Sequence, residues 1–392
     1  MLQATTEYGE LVTLAMLTRP EIFGMRQENF FCPTCHSPVI VKAGPQIIPH
    51  FAHLSIDDCP SREGGEGIYH EKGKLLLYQW LLGQGLNAQL EAYLPDIQQR
   101  PDILLTIGER RIAIEYQCAR IPAEQIHSRT LGYHSIGIKP IWILGANRFE
   151  RQSRHHLKID QFQRQFIHQS ASTIPQTIYY FCPDTLQFIF FQDIYFSANH
   201  RAAGKFHITK LNNMMFTDLF RKDSFTENEL FLIWIKEKRS FRTRPPGKGF
   251  GLEHKWRQWL YQKGTYKDYL PTIIDMPVSA GYLMKTPPWD WQSRLCLDII
   301  DPLPIGSRLS LKMCERQLRR YLYSHKDFPL ITIFKNPIEQ YLTLLTRTGI
   351  LNRESTNTFS KRNALLFYRT MDEALAGDVH ILNLLTTGKM EA

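Results

Sequence analysis

The chain has 392 residues, 43% of them hydrophobic, and 47 Lys+Arg against 38 Asp+Glu give it a formal net charge of +9. This composition excludes disordered and collagen-like proteins, and the length predicts two or three domains. Glu7 and Glu10 stand where a secretion signal would be basic, seven cysteines are too few for a disulfide scaffold, and no apolar run is long enough to span a bilayer, so we expect a cytoplasmic protein without a membrane span.

The basic charge is confined to the second part of the chain. Residues 1–150 have a net charge of −3, whereas residues 151–392 have a net charge of +12. A basic surface indicates an acidic partner, most commonly nucleic acid, although a solvated surface without a partner gives the same charge.

The predicted elements follow a regular order. Strands are expected within residues 1–31, before a loop that contains Cys32, Cys35 and Cys59. From residue 66 the predicted order is helix (66–82), three strands (88–93, 102–107, 112–117), helix (122–134) and strand (141–144). An aromatic hairpin over 174–197 and helices over 225–239, 252–262, 309–324 and 336–347 follow. The predicted domains are 1–62, 63–150, 151–210 and a basic, mainly helical part over 211–392, and the fold class is α/β (α+β).

The most informative segment is the hairpin that contains Asp102 and Glu115. If Gly108-Glu109 forms a two-residue turn, Ile107 pairs with Arg110 and Asp102 lies opposite Glu115. Adjacent carboxylates repel each other, and a divalent cation such as Mg²⁺ or Mn²⁺ is the usual compensation. Alternatively, Asp102 only shapes a turn, and Glu115 pairs with Arg110 or Arg111.

The two flanking helices carry polar residues at helical spacing. Glu66, His70 and Lys74 line one face of the first helix, and Gln125, Arg129 and Tyr133 line one face of the second. Each face alone is typical of a solvated helix. Their position on either side of one carboxylate hairpin favours a common site.

The segment before this unit has the spacing of a zinc site. Cys32-Pro-Thr-Cys35 is followed by His50-Phe-Ala-His53 and then by Cys59. The pattern predicts a structural zinc ribbon held by Cys32, Cys35 and His53, with Cys59 or His50 as the fourth ligand. Free thiols beside ordinary loop histidines are the alternative.

The order of elements, with Pro-Asp and Glu-x-Gln on consecutive strands, resembles the PD-(D/E)XK nuclease superfamily and its restriction-endonuclease-like αβββαβ core. The resemblance implies that Asp102 and Glu115 hold Mg²⁺ or Mn²⁺ and that Glu66 orients the metal or water. The last motif position is normally Lys, whereas this chain has Gln117. Lys74 is therefore a candidate to position the nucleophile with Gln117, beside His70, and Arg129 and Tyr133 are candidates to contact DNA.

A longer series of motifs resembles the competence protein CoiA family. It runs through Cys32-x₂-Cys35, His50-x₂-His53, Glu66-x₃-His70-x₃-Lys74, Arg100-Pro-Asp102, Ile114-Glu-Tyr-Gln117, Arg129-x₃-Tyr133 and Ile141-Trp-Ile-Leu144. The resemblance is close over residues 10–150 and weaker through 174–197. It implies a protein of natural transformation that promotes recombination of incoming single-stranded or branched DNA together with the RecA recombinase.

Basic residues in the second part are candidates to hold DNA. They are Lys236, Lys238, Arg239, Arg242, Arg244 and Lys248, with Phe241, Phe250, Lys255, Trp256, Arg257 and Trp259 among or after them, and Arg316, Arg319 and Arg320 as a second cluster. Basic side chains follow phosphates and exposed aromatic rings stack on unpaired bases, although a solvated loop beside buried rings is the alternative.

Three functions are compatible with these patterns. The first is a Mg²⁺-dependent deoxyribonuclease of the PD-(D/E)XK type that processes DNA during transformation. The second is a non-catalytic DNA-binding adaptor for recombination, which Gln117 favours. The third is a restriction-like defence nuclease.

Overall fold

The computed structural model describes residues 1–44, 47–54, 59, 67–245 and 250–387. Glu66 and Lys248, two of the predicted site residues, lie outside these ranges.

The N-terminal segment forms a small antiparallel sheet with strand order β2-β1-β3-β4-β5. Leu14, Ile22, Phe30 and Phe51 fill its core. Its elements are β1 (Gln3–Thr6), β2 (Leu11–Thr13), α1 (Arg19–Gly24), β3 (Phe30–Phe31), β4 (Pro38–Lys42) and β5 (His50–His53).

The central part contains the predicted helix–strand–strand–strand–helix–strand order. These elements are α2 (Ile68–Leu82), β6 (Asn87–Leu90), β7 (Ile103–Ile107), β8 (Arg110–Gln117), α3 (Ala123–Ser135) and β9 (Ile138–Gly145). The chain continues with β10 (Glu150–Arg151), β11 (His156–Lys158), α4 (Gln161–Arg164), β12 (Thr177–Cys182), β13 (Gln187–Ala198) and β14 (Arg201–Lys210).

These strands form one nine-stranded mixed sheet of order β10-β11-β14-β13-β12-β9-β8-β7-β6. Strands β8, β9 and β12 are parallel neighbours, and the remaining pairs are antiparallel. The predicted aromatic hairpin, β12 and β13, therefore extends the same sheet as the carboxylate hairpin. The predicted turn is also present, because Ile107 pairs with Arg110 and Gly108 adopts a positive φ of 58°.

The two helices cover opposite faces of the carboxylate hairpin. Leu77 and Leu81 of α2 pack with Ile114 and other residues of one face, whereas Tyr133 of α3 packs with Leu104 and Ala113 on the other. Strand residues alternate between faces, so β7 and β8 supply apolar side chains to both layers. The ends of these strands therefore lie between two helices.

The C-terminal part is mainly helical, as predicted. Its elements are α5 (Glu227–Thr243), α6 (Leu252–Gln262), α7 (Pro288–Leu295), β15 (Arg308–Ser310), α8 (Leu311–Leu318), α9 (Pro337–Arg347), β16 (Leu351–Arg353), β17 (Thr358–Lys361) and α10 (Met371–Thr387). The three short strands form a separate sheet of order β15-β17-β16. The predicted helix over 309–324 is shorter, because β15 ends at Ser310, whose hydroxyl accepts from the N–H of Met313 and caps α8.

Candidate functional site

The close approach of α2 to β8 creates the candidate site. At Gly73 a Cβ atom would lie 2.0 Å from the ring of Tyr116, so only glycine permits this packing. His70, one turn before Gly73, stacks on Tyr116 with ring centroids 5.6 Å apart. The packing brings the polar face of α2 to the strand residues around Glu115.

Asp102 is the point where α2 and the hairpin meet. One carboxylate oxygen accepts from the backbone N–H of Tyr116 at 2.8 Å and lies 3.4 Å from Nε2 of His70. The other oxygen lies 3.6 Å from Nζ of Lys74. The Asp102 side chain is 91% buried. The positive charge of Lys74 therefore offsets much of the free-energy cost of removing this carboxylate from water.

Glu115 is held from the other face of the sheet. Its Oε1 accepts from Nη2 of Arg129 at 2.5 Å and from Nε at 3.2 Å, and the Tyr133 hydroxyl also donates to it. Burial, followed by the charge of Glu115, raises the pKa of Tyr133 well above its usual range, so this phenol stays a donor. Arg129 also donates to the carbonyl of Arg100 at 3.0 Å.

Glu91 was not predicted from the sequence. It joins Asp102, Glu115, Lys74 and Arg129 in one cluster of charged residues. It follows β6 with a φ of 51°, unusual for a residue other than glycine, and its N–H donates to the Asp102 carbonyl at 2.9 Å. Its carboxylate accepts from Nζ of Lys74 at 2.6 Å and from the N–H of Leu2 at 2.9 Å. Glu91 therefore attaches the N-terminal sheet to the site. The signal in the sequence was a single acidic residue, Glu91, directly after β6, a strand in which polar and apolar residues alternate.

Several predicted roles change in this geometry. Tyr133 is fully buried against Glu115 and Arg129 is bound to the same carboxylate, so the nucleic-acid contact predicted for them is corrected to a positioning role. The cation beside Glu115 is Arg129 rather than Arg110 or Arg111. The Gln117 amide donates to the Ala119 carbonyl at 2.8 Å and, among the described residues, hydrogen-bonds with neither carboxylate.

The chemistry of this cluster is compatible with a divalent cation. Asp102 and Glu115 each offer hard oxygen ligands, the first contacted by residues of α2 and the second by residues of α3, and Mg²⁺ is commonly held by one or two carboxylates, waters and substrate phosphates. Within the described residues, however, Lys74 and Arg129 already compensate the two carboxylates. Glu66, the third predicted acid, lies outside the described residues.

The Cys/His cluster near the N-terminus is a separate candidate metal centre. The ligand atoms of Cys32, Cys35, His53 and Cys59 all lie within 4.8 Å of one another, which suits a tetrahedral ion such as Zn²⁺. The sequence left Cys59 and His50 open as the fourth ligand. The group that the structure brings together contains Cys59 and not His50, whose Nδ1 lies 2.9 Å from the carbonyl of Ile48.

The cluster forms where two loops of the N-terminal sheet meet. Cys32 and Cys35 follow β3 in one tight turn, and His53 ends β5. Sγ of Cys35 lies 3.3 Å from Nε2 of His53. Burial opposes ionisation of Cys35, but hydrogen bonds from Ser37 and His53 outweigh it and lower the pKa of this thiol to about 6. A thiolate is the form that binds zinc.

The basic residues of the C-terminal part divide into buried and exposed groups. Lys238 is buried and donates to the Ile274 carbonyl, and Arg242 is buried in a bidentate pair with Asp378. Trp256 is also in the core, donating to the Ser293 hydroxyl. The nucleic-acid contact predicted for Lys238 and Arg242 is therefore corrected to a structural role, since neither reaches the surface. The exposed residues are Lys236, Arg239, Arg244, Lys255, Arg316, Arg319 and Arg320.

Within the part of the chain that the structure describes, no helix has the length and apolar character needed to cross a membrane.

Comparison with known proteins gives three adjoining family matches. Residues 14–62 match the N-terminal domain of competence protein CoiA, residues 66–224 its nuclease-like domain, and residues 232–375 its C-terminal domain. A curated relative, "Competence protein CoiA" of Bacillus subtilis (strain 168), is 30% identical over 344 residues, which cover 86% of this chain and 90% of the relative. No solved structure gives a significant match.

Proposed function

Because the chain belongs to the competence protein CoiA family, we propose that it processes incoming DNA during natural transformation through its nuclease-like domain. The proposal includes Mg²⁺- or Mn²⁺-dependent cleavage of a phosphodiester bond and a partnership with a RecA-type recombinase in the cytoplasm. Single-stranded or branched DNA is the proposed substrate.

One observation supports the nuclease proposal: the amine of Lys74 lies 3.6 Å from the Asp102 carboxylate, at the end of the hairpin whose register pairs Ile103 with Ile114, the residues next to Asp102 and Glu115. A lysine on α2 thus stands beside the first motif acid, although the motif position on β8 is Gln117. Lys74 of α2 would therefore provide the positive charge that is missing from β8, where Gln117 occupies the motif position.

Each side chain has a role in this proposal. Asp102 and Glu115 would hold the metal ion, which supplies an activated water and stabilises the charge that develops on the phosphate. Lys74 would position the nucleophile beside one Asp102 oxygen, and His70 would fix the other Asp102 oxygen. Arg129 and Tyr133 would orient Glu115, and Glu66 is assigned to orienting the metal or the water.

A second candidate function is a DNA-binding adaptor without catalysis. It is favoured by the pairing of each carboxylate with a cation, Asp102 with Lys74 and Glu115 with Arg129, and by the bond of Gln117 to Ala119. In an adaptor the cluster would hold the domain together, and the recombination role would rest on binding alone.

Cleavage assays with the full chain separate the two functions. Purified protein is incubated with branched, single-stranded and duplex DNA in Mg²⁺ or Mn²⁺, beside Asp102→Asn and the matched variant Gln117→Ala. The nuclease predicts metal-dependent cutting that Asp102→Asn reduces by about 100-fold or more, because a metal ligand is lost. Gln117→Ala should keep the rate within about threefold, because its amide donates to the Ala119 carbonyl and not to either carboxylate. DNA binding without cutting by any of the three proteins would establish the adaptor instead.

A further inference from the structure

An arginine-lined concavity on the C-terminal part has no role in the nuclease-like site. Arg316, Gln317, Arg319 and Arg320 line about 670 Å³ of surface space. The three arginines fall at the end of α8 or directly after it, at spacings of three and four residues from Arg316, so they project from one side.

These three arginines are an exposed group of positive charges, and the charge of Arg320 also acts on the buried Asp290 carboxylate. All three are exposed, and among the described residues no carboxylate lies within ion-pair distance of Arg316, Arg319 or Arg320. Arg244 and Lys263, in contrast, pair with Glu253 and Asp298 at 2.8 Å each. Three neighbouring cations repel one another unless an anion occupies the space between them.

An alternating series of cations and aromatic rings leads to this concavity. Arg294 lies 4.6 Å from the Trp259 ring centroid and 5.3 Å from that of Tyr321. Arg320 continues the series, 4.8 Å from the Tyr321 ring, and donates to the Tyr321 hydroxyl at 2.7 Å. Lys263, 5.9 Å from Trp259, begins it. Stacking of this kind fixes guanidinium planes that would otherwise move freely.

The series joins α6 to α8 as one surface. Asp298 accepts from Lys263 of the α6 end at 2.8 Å and from Gln317 of α8 at 3.5 Å. Asp290, fully buried, pairs with Arg294 at 2.8 Å and holds it between the two rings. The arginine concavity is therefore built on a fixed support rather than on separate flexible side chains.

We propose that this surface, the arginine concavity with Tyr321 and Trp259 beside it, binds the backbone of single-stranded nucleic acid. Phosphates enter the concavity between Arg316, Arg319 and Arg320, and unpaired bases stack on the Tyr321 ring and the Arg320 plane. A single strand fits better than a duplex, because a duplex keeps its base faces stacked internally. The identity of the anion as DNA rests on the proposed function, whereas the site is independent of the nuclease-like cluster.

Binding of the full chain to an oligothymidine strand in the presence of EDTA tests the proposal. The triple variant Arg316→Gln/Arg319→Gln/Arg320→Gln should bind about tenfold or more weakly, and the slope of log K against log salt should fall by about two, because about three phosphate contacts are lost. A matched triple variant removes exposed charges elsewhere: Arg110→Gln/Arg154→Gln/Lys222→Gln. It should change neither quantity appreciably.

Two substitutions at Tyr321 test the stacking. Tyr321→Leu should weaken single-strand binding about fivefold or more and leave duplex binding nearly unchanged, whereas Tyr321→Phe should stay within about twofold, because it retains the ring. Circular dichroism melts verify that all variants fold. An acidic peptide that binds as tightly as the oligonucleotide, with no difference between Leu and Phe at 321, would overturn the assignment in favour of a protein partner.

The outcome separates this site from the nuclease proposal. If the arginine triple variant binds the single strand as well as its matched control, the proposed surface is wrong, whatever the cleavage assays give. If Asp102→Asn binds normally, no protein cuts DNA and the arginine triple variant loses binding, the surface stands and the nuclease proposal fails.

Discussion

At the residue scale, the site is defined by Lys74, whose amine contacts both Glu91 and Asp102. Its amine lies 2.6 Å from Glu91 and 3.6 Å from Asp102, and its side chain is 1% exposed. A buried ammonium group between two buried carboxylates stabilises the fold only while the ammonium group and the carboxylates all remain charged. The spacing of α2 placed Lys74 on the correct face, but nothing in the sequence indicated that Glu91 would be its shorter contact.

Lys74→Met should therefore destabilise the fold by about 3–5 kcal/mol, because Glu91 and Asp102 are left buried without their nearest cation. The double variant Lys74→Met/Glu91→Gln should be more stable than Lys74→Met, since it removes one of the two uncompensated charges. Urea denaturation of the purified variants measures both differences. A double variant less stable than the single would show that Glu91 is stabilised mainly by Leu2 and Arg100.

At the element scale, we expect the N-terminal sheet to depend on its Cys/His cluster. The sheet is small, with several strands of only two to four residues, and its core contains few large side chains. Small domains of this kind commonly gain stability from a structural metal. The choice of ligand depended on β5, whose alternation turns His53 toward the cysteines and His50 toward Ile48.

We expect the purified protein to contain about one zinc ion per chain. Cys35→Ser should lose most of the bound zinc, whereas His50→Ala should retain it, because His50 faces away from the other ligands. Metal analysis of the two variants, with a chelator-treated wild type as reference, measures this difference. Loss of zinc in His50→Ala with retention in Cys35→Ser would contradict the ligand set.

A buried ion pair attaches the last helix to the C-terminal part. Arg242 of α5 donates to both oxygens of Asp378 on α10, at 2.6 and 2.8 Å, and the Thr272 hydroxyl donates to the same carboxylate at 2.7 Å. Both side chains are almost fully buried. Removing one partner leaves the other charged and unsolvated.

Asp378→Asn should accordingly cost about 3–5 kcal/mol of unfolding free energy. The exposed pair between Lys158 and Glu150 provides the control: Glu150→Gln should cost at most about 1 kcal/mol, since solvent screens it. Chemical denaturation monitored by tryptophan fluorescence compares the two. Equal losses in both variants would show that the Arg242–Asp378 pair contributes no more than a surface contact.

At the scale of the whole molecule, a half-buried histidine, His168, lies between the large sheet and the C-terminal part. The backbone N–H of Trp142 in β9 donates to Nε2 of His168 at 3.0 Å. The residue after His168, Gln169, donates its backbone N–H to the Leu330 carbonyl at 3.1 Å. Burial lowers the pKa of His168 to about 4. The ring is therefore neutral in the folded protein and accepts a hydrogen bond that protonation would remove.

Stability should consequently fall on acidification. The folded pKa of His168 lies below its unfolded value of about 6.5, so the stabilisation is fully present above about pH 6.5 and is lost as the pH falls to about 4. The loss should amount to about 3 kcal/mol, measured as the pH dependence of urea unfolding. His168→Gln should flatten this dependence, and the exposed control His380→Gln should not. An unchanged profile in His168→Gln would refute the assignment.

The sequence by itself determined the order of elements, the register of the carboxylate hairpin and most members of the Cys/His cluster. These follow from local rules: a two-residue turn fixes which residues pair, and a CxxC turn fixes two thiolates. Only the tertiary structure decided which polar residues are buried. It paired Lys74 with Glu91, directed Tyr133 at Glu115, turned His50 away and placed Lys238 and Arg242 in the core. The physical reason is that burial and ion pairing depend on which elements pack together, whereas helical spacing gives only the face on which a side chain lies.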